Sequence, residues 1–293
     1  MCGFLALATC GQAATAVPDW LESLHLIATG GVNQVDNLSR TSYEPTRKDA
    51  ITYEFSVSSA LPRQLTRNLL LTASAEASSL SVPDYDLTDN VRFAGRLALQ
   101  TKFGLGPQAT VLKFSAGTSY KSARFAGDRG WTTEAGVQVS KRVLANVRLA
   151  ANASLLEHDA RSATFDLNQH SFSVDAQWDI DDHWTLSASA GRLGGDIVAN
   201  AAWTVWAQAI SGGFGPAVST YYNARPWTVT HLYGPKWVSY NVEADVDLWS
   251  ISLGYAFNAR TSVEVRRTGA YVVNRIGIAY PTDSWGLSLT HRF

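Results

Sequence analysis

The sequence predicts an all-β chain folded as a single antiparallel, up-and-down transmembrane β-barrel of twelve strands. Three observations predict it. Apolar and polar residues alternate with a strict period of two in one segment after another. The segments run to about 9–12 residues, the length of a tilted strand that crosses a bilayer. Their number is even, and the connections between them alternate short and long.

In chain order, Leu24, Leu26 and Ala28 open the series. In 50–59, Ile51, Tyr53, Phe55 and Val57 alternate with Thr52, Glu54, Ser56 and Ser58. In 68–78, Leu69, Leu71, Ala73 and Ala75 oppose Thr72, Ser74 and Glu76. Val91, Phe93, Leu97 and Leu99 oppose Arg92, Arg96 and Gln100, and Leu112, Phe114, Ala116 and Tyr120 oppose Lys113, Ser115, Gly117 and Ser119. Trp131, Val137 and Val139 oppose Glu134 and Gln138, and Val147, Leu149 and Leu155 oppose Arg148, Asn152 and Ser154. Phe172, Val174 and Trp178 oppose Ser173, Asp175 and Gln177, and Trp184, Leu186 and Ala188 oppose Thr185, Ser187 and Ser189. Trp249, Ile251, Leu253, Tyr255 and Phe257 oppose Ser250, Ser252 and Gly254. Val263 and Val265 oppose Ser262, Glu264 and Arg266, and Trp285, Leu287, Leu289, His291 and Phe293 end the series.

The tenth strand carries a fault. Its apolar phase is even at Tyr240, Val242, Ala244 and Val246 and odd from Trp249 onward. Such a slip predicts a bulge near Leu248, or a strand that leaves the membrane there. Past a bulge, Glu243, Asp245 and Asp247 would form an acidic inward ladder; otherwise they form an exposed ribbon above the membrane.

Tight turns are expected around Pro62, at 104–107, 144–146 and 181–183, and at Ala259 and Arg260. Long connections are expected at 34–48, 79–89, 121–129, 157–168, 195–238 and 272–283. Aromatics end the apolar faces at Trp131, Trp178, Trp184, Trp249, Phe257, Trp285 and Phe293, as interfacial girdles would. A soluble β-sandwich of this size would need strands apolar on both faces, and a propeller would need a repeat; neither is visible.

Composition narrows the rest. A net charge of -1 gives no pull toward nucleic acid. Both cysteines, Cys2 and Cys10, fall in the first ten residues, so the rest of the chain has no thiol for a disulfide, zinc or nucleophile. Residues 1–16 are uncharged and end in Ala14-Thr15-Ala16, which predicts a signal peptide whose basic start is missing, with the barrel in 17–293. Thr9 before Cys10 is a poor match to a lipoprotein site. Asp84, Asp86 and Asp89 could hold calcium weakly, but three acids in a loop are expected to be solvated. No metal or cofactor is expected.

At the C-terminus, Trp285, Leu287, Leu289 and the final Phe293 resemble the signal that the β-barrel assembly machinery reads in Gram-negative outer-membrane proteins, with His291 where Tyr often stands. The stretch Phe103-Gly104-Leu105-Gly106 and residues 31–40 (GVNQVDNLSR) resemble pieces of porin-like proteobacterial barrels. The resemblance implies an outer-membrane location, contact with outer-membrane lipid and lipopolysaccharide, and assembly from the last strand. It implies no solute and no oligomeric state.

Function is expected to sit in two places. The inward face carries Arg92, Arg96, Lys113 and Arg148 on the fourth to seventh strands, and Glu54, Glu76 and Glu264 on the second, third and eleventh; Glu134, Asp175 and Arg266 break the pattern. Such walls either set a transverse field across a pore or pair and hold it shut. The 195–238 loop holds Trp203, Trp206, Phe214, Tyr221, Tyr222, Trp227, Tyr233 and Trp237, as a constriction, a cap or a binding face. Two further strands there, 201–210 and 217–231, would make fourteen. The favoured reading is a passive channel for small polar or charged solutes. The alternatives are a closed barrel whose aromatic loop binds a partner or glycan, and, behind it, an envelope-lipid enzyme. The last is disfavoured because no Ser/His pair shares a strand face.

Overall fold

The computed structural model describes residues 25–293; the expected signal peptide lies outside the described residues. The elements are β1 (Leu26–Asp36), β2 (Ala50–Thr66), β3 (Leu69–Ser81), β4 (Asn90–Phe103), β5 (Thr110–Ala123), β6 (Gly130–Leu144), β7 (Val147–Ala160), β8 (Leu167–Asp179) and β9 (Trp184–Ala202). Then come helices α1 (Trp203–Ser211) and α2 (Pro216–Asn223), β10 (Trp227–Val229), β11 (Trp237–Ala256), β12 (Thr261–Asn274) and β13 (Ala279–Arg292). Each long strand pairs antiparallel with the next, β9 skips the three-residue β10 to pair with β11, and β1 pairs with β13. The result is a closed up-and-down barrel of twelve long strands. Closure gives each long strand a partner on both sides within the ring, so backbone polar groups there can be satisfied away from water; the short β10 has β11 as its one partner.

The two faces set the environment. Phe55, Leu97, Phe114, Leu155, Phe172, Ile251 and Leu289 all point outward and are exposed. An apolar belt running round the whole circumference is a surface made for lipid, not water. Aromatics rim it at both ends: Trp184 packs on Tyr255 at 4.8 Å near the inner turns, and Trp131 on Tyr120 at 5.2 Å near the outer loops. No described helix is long and apolar enough to cross a membrane.

Several expected boundaries move. Pro62 lies inside β2, and the turn falls at Arg67 and Asn68. At Pro62, β2 has run past the last β1 partner among the described residues, Leu26 opposite Ser59; there the described partner of β2 is β3, with Pro62 opposite Thr72. The 272–283 connection shrinks to residues 275–278, because β12 and β13 stay paired to Val273 opposite Ala279. Residues 201–231 form no additional barrel strands. Gly212, at φ 87°, stops α1, and Pro216 starts α2, so the GGFGP stretch is a helix-to-helix turn.

There is no bulge at Leu248. β11 keeps one register from Trp237 opposite Ala202 to Tyr255 opposite Trp184. The slip is a change of surroundings along a continuous strand. Glu243, Asp245 and Asp247 therefore share the outward face of Trp249. Asp245 lies 3.2 Å from Arg192, and Glu243 lies 3.1 Å from Arg225 and also pairs with Arg275.

Candidate functional site: the lumen and its cap

The inward face below the loops is built from small polar residues. Thr29, Gly31, Asn33, Ser56, Ser78, Thr185, Ser262, Gly286 and Ser288 line a cavity of about 700 Å³. It reaches from His183 and Tyr255 beside the inner turns to Leu80, Asn90 and Arg92 toward the outer end. Small side chains on a twelve-stranded wall leave this space unfilled.

Of the expected lumen charges, Glu54, Glu76, Arg92, Glu264 and Arg266 line this cavity. Arg96 and Glu134 line a second cavity of about 280 Å³ that shares Glu76 and Arg92. Arg96 reaches Glu134 at 2.7 Å across the intervening strand. The register sets Arg96, Gly117 and Glu134 in one row, and a Cβ on Gly117 would stand 3.3 Å from Arg96 Cβ and 2.9 Å from the Gly95 carbonyl oxygen. Gly117 thus clears the path of the guanidinium. Arg266 pairs with Glu264 on its own strand at 2.7 Å. Asp175 accepts from Asn152, whose Oδ1 accepts from Gln138 at 2.7 Å. Among the described residues, Glu54, Glu76, Arg92, Lys113 and Arg148 form no ion pair. The charged walls are therefore not locked together across the lumen.

The outer end is covered by converging loops. Leu38 comes from the β1–β2 loop, Tyr85 and Leu87 from β3–β4, Phe125 from β5–β6, and Phe165 from β7–β8. All pack with Leu232, Tyr233 and Trp237 from the segment leading into β11. Five of the six outer connections meet in this one cluster, which only a position over the mouth allows; Ile276 and Ile278 of the sixth pack on the helices' cluster instead. Tyr85 lies 5.2 Å from Tyr233 and Phe125 lies 5.4 Å from Phe165. The Tyr233 hydroxyl donates to the Leu38 carbonyl at 3.0 Å, and Asn200 Nδ2 to the Ser39 carbonyl at 2.9 Å. Adjacent loops are joined through their backbones: Phe125 N–H to the Leu87 carbonyl at 3.2 Å, and Ser162 N–H to the Gly127 carbonyl at 3.0 Å. Burial pushes the Tyr233 phenol up to about 12, because its charged form has no water to stabilise it.

The aromatic segment divides by environment. Tyr233 and Trp237 belong to the cap. Trp206 stacks on Tyr240 at 4.6 Å, and Tyr222 meets the same ring edge-on at 5.4 Å. In α1, Trp206, Ala209 and Ile210 present the i, i+3, i+4 stripe that seats the helix on Val238, Val242 and Ala244. Tyr222 is also pushed up to about 12 by burial and accepts from Asn274 at 3.2 Å. Tyr221 lies under the Arg225 guanidinium at 5.3 Å. Trp203, Phe214 and Trp227 stay exposed.

Between lumen and cap lies a vestibule of about 420 Å³ that shares Leu80, Asn90 and Arg92 with the main cavity, so the two spaces adjoin. It is also lined by Arg40, Lys121, Asp128, Thr132, His158 and Gln169. Sequence reasoning missed this chamber. It placed His158 in a loop, whereas His158 is a buried residue of β7, 2.8 Å from the Thr132 hydroxyl. The signal was present: Leu156 and His158 continue the inward phase of Asn152 and Ser154. Asp86 and Asp89, weighed for calcium, pair with Arg124 at 2.9 and 3.8 Å. His170 faces outward opposite Leu155 and Gly194, with Phe172 next on its face, so no serine stands opposite it in register.

No family model matches the chain, and no curated protein does either. Solved structures share its fold. An outer-membrane channel from Pseudomonas putida F1 superposes with a TM-score of 0.57 at 10% identity, over 94% of this chain and 99% of that one. Outer-membrane phospholipase A from Escherichia coli gives 0.51 at 11% identity, over 94% and 93%. The chain therefore has the fold of a bacterial outer-membrane protein: a closed, twelve-stranded, up-and-down β-barrel.

Proposed function

We propose that the protein is a passive outer-membrane channel for small polar or charged solutes, with its outer mouth held nearly shut by the aromatic cap. One observation carries this reading: a polar cavity of about 700 Å³ runs from the inner turns to Arg92 and adjoins the vestibule. A barrel kept for rigidity alone would fill that space with side chains or salt bridges. The outward belt would face outer-membrane lipid and lipopolysaccharide, and Trp285, Leu287, Leu289 and Phe293 would be read by the assembly machinery as the last strand is placed.

Planar-bilayer recording tests the reading. The folded protein should show small, infrequent conductance steps. A variant joining Ala202 to Trp237 by a short turn, which removes both helices and the Leu232–Tyr233 part of the cap, should conduct several-fold more. A barrel that stays silent even when uncapped, with its folded state shown by heat-sensitive gel mobility, overturns it. Exposed Trp203, Phe214 and Trp227 favour a second reading, in which the barrel stays closed and this face binds a partner or glycan. In that case the shortened variant loses attachment to glycan-coated surfaces and gains no conductance.

A further inference from the structure

The vestibule concentrates positive charge without answering it. Its lining includes Arg40, Arg92 and Lys121 but only one acid, Asp128. Lys121 and Asp128 satisfy each other at 2.6 Å. Two guanidiniums remain. Arg92 Nε donates to the Ser119 hydroxyl at 2.8 Å, and neither Arg92 nor Arg40 forms an ion pair among the described residues. Arg40 is held in place by its loop: Asn37 takes a left-handed turn at φ 56°, and the Arg40 N–H donates to the Asn37 carbonyl at 2.9 Å.

The roof over these two arginines is Leu38, Leu87, Phe165, Leu232 and Tyr233. Arg40 is exposed and Arg92 half-buried, so both guanidiniums keep some water, and the apolar lid beside them strengthens their pull on an anion that enters. The amides around it are half used. Asn90 Nδ2 donates to the Thr88 carbonyl at 3.2 Å and Gln169 Nε2 to the Asp196 carbonyl at 2.7 Å, leaving both side-chain oxygens as acceptors. Guanidinium forks match a carboxylate or phosphate, and amide oxygens match hydroxyl groups. A chamber of about 420 Å³ holds one small molecule.

We propose that this vestibule is a binding site for one small hydroxylated anion, held by Arg40 and Arg92 and oriented by Asn90 and Gln169. The site rests on the channel reading for how its ligand arrives, but equilibrium binding detects it whether or not the barrel conducts. The test titrates the folded full-length protein in detergent with sodium gluconate and, separately, inorganic phosphate, followed by calorimetry. Saturable binding of one anion per barrel is expected, on the order of millimolar. Arg92→Gln should weaken it about tenfold, Arg40→Gln likewise, and the double variant should abolish it. Lys113→Gln, lower in the lumen, should leave it unchanged. Gluconate the tighter of the two points to hydroxy-carboxylates; phosphate the tighter points to phosphorylated solutes; either supports the site. Arg40 lies in a loop, so its variant remains informative if Arg92→Gln does not fold. Absence of saturable binding, or binding indifferent to both arginines, overturns the proposal. Binding by a barrel that never conducts rejects the channel and keeps the site; conduction without binding does the reverse.

Discussion

The inner and outer halves of β11 are one strand with opposite chemistry. From Trp249 inward, the odd residues Ile251, Leu253 and Tyr255 are apolar and face out, while Ser250, Ser252 and Gly254 face in. From Val246 outward, the even residues Val246, Ala244, Val242 and Tyr240 are apolar and buried, while Asp245 and Glu243 share the outward phase with Trp249. The register with β9 does not break between the halves. What changes is the solvent. Low on the barrel the outward face is an apolar belt suited to lipid and the inward face is polar. Higher up, Glu243 and Asp245 on the outward phase meet water while the other face is covered by α1 and α2, and at the top Trp237, Ser239 and Asn241 on that same phase are buried under the loops. Amphipathic phase reports the surroundings of a strand, not the path of its backbone.

Acid substitutions on a single face break this comparison most directly. Val242→Asp should cost about 3–5 kcal/mol, since it buries an unpaired carboxylate between the helices and the sheet. Urea unfolding of the detergent-folded barrel measures it, with protease access to 203–236 as a local readout. Ser250→Asp, on the same phase eight residues further along β11, should cost less than about 1 kcal/mol because it meets lumen water. Equal costs at the two positions would mean that the faces do not change environment.

Ile251→Arg sharpens the lower half. A cation on the lipid face should cost about 2–4 kcal/mol near the bilayer midplane, measured by unfolding from vesicles. If it is tolerated like a surface change, the outward belt does not lie in lipid.

The outer region has its own titration. Burial raises the Tyr222 and Tyr233 phenols from 10.0 to about 12. A group whose folded pKa is raised gives stability that is present below its unfolded value and lost as pH climbs through the folded one. The cap and helices should therefore hold to pH 10 and loosen between pH 10 and about 12. Near-ultraviolet titration should show late-ionising phenols, and Tyr233→Phe should remove one; a Tyr233 that ionises with the exposed tyrosines would mean the cap is open.

The smallest effect belongs to Asp245→Asn. Asp245 and Arg192 are both 64% exposed, and losing such a pair should cost no more than about 1 kcal/mol. A larger loss would put this ribbon in a drier setting than the geometry indicates.

These contrasts explain what was legible beforehand. The membrane belt announced itself because lipid outside and water inside enforce alternation in every strand. Lumen charges such as Glu54 and Arg96 could be assigned a face by the same count. The outer third could not be read that way. Tyr240 and Val242 looked like a register fault because the covering helices lie elsewhere in sequence. Trp206 and Tyr222 read as loop aromatics because helical spacing over so short a stretch is faint beside their density. The vestibule was hidden for a different reason. Arg40, Arg92 and His158 come from three separate segments, and only closure of the ring brings them together.

The seam between β1 and β13 has a consequence for how the chain reaches this state. The Thr29 hydroxyl meets that of Thr290 at 3.1 Å across 261 residues of separation, and the Phe293 N–H donates to the Leu26 carbonyl at 3.0 Å. Every other neighbouring pair of barrel strands joins consecutive long strands; this one has the highest contact order available to the ring. Until it forms, the sheet has two free edges and no inside or outside. The wall is sealed only when this ladder is in place, and an assembly that lacked it would expose both margins to any neighbouring strand.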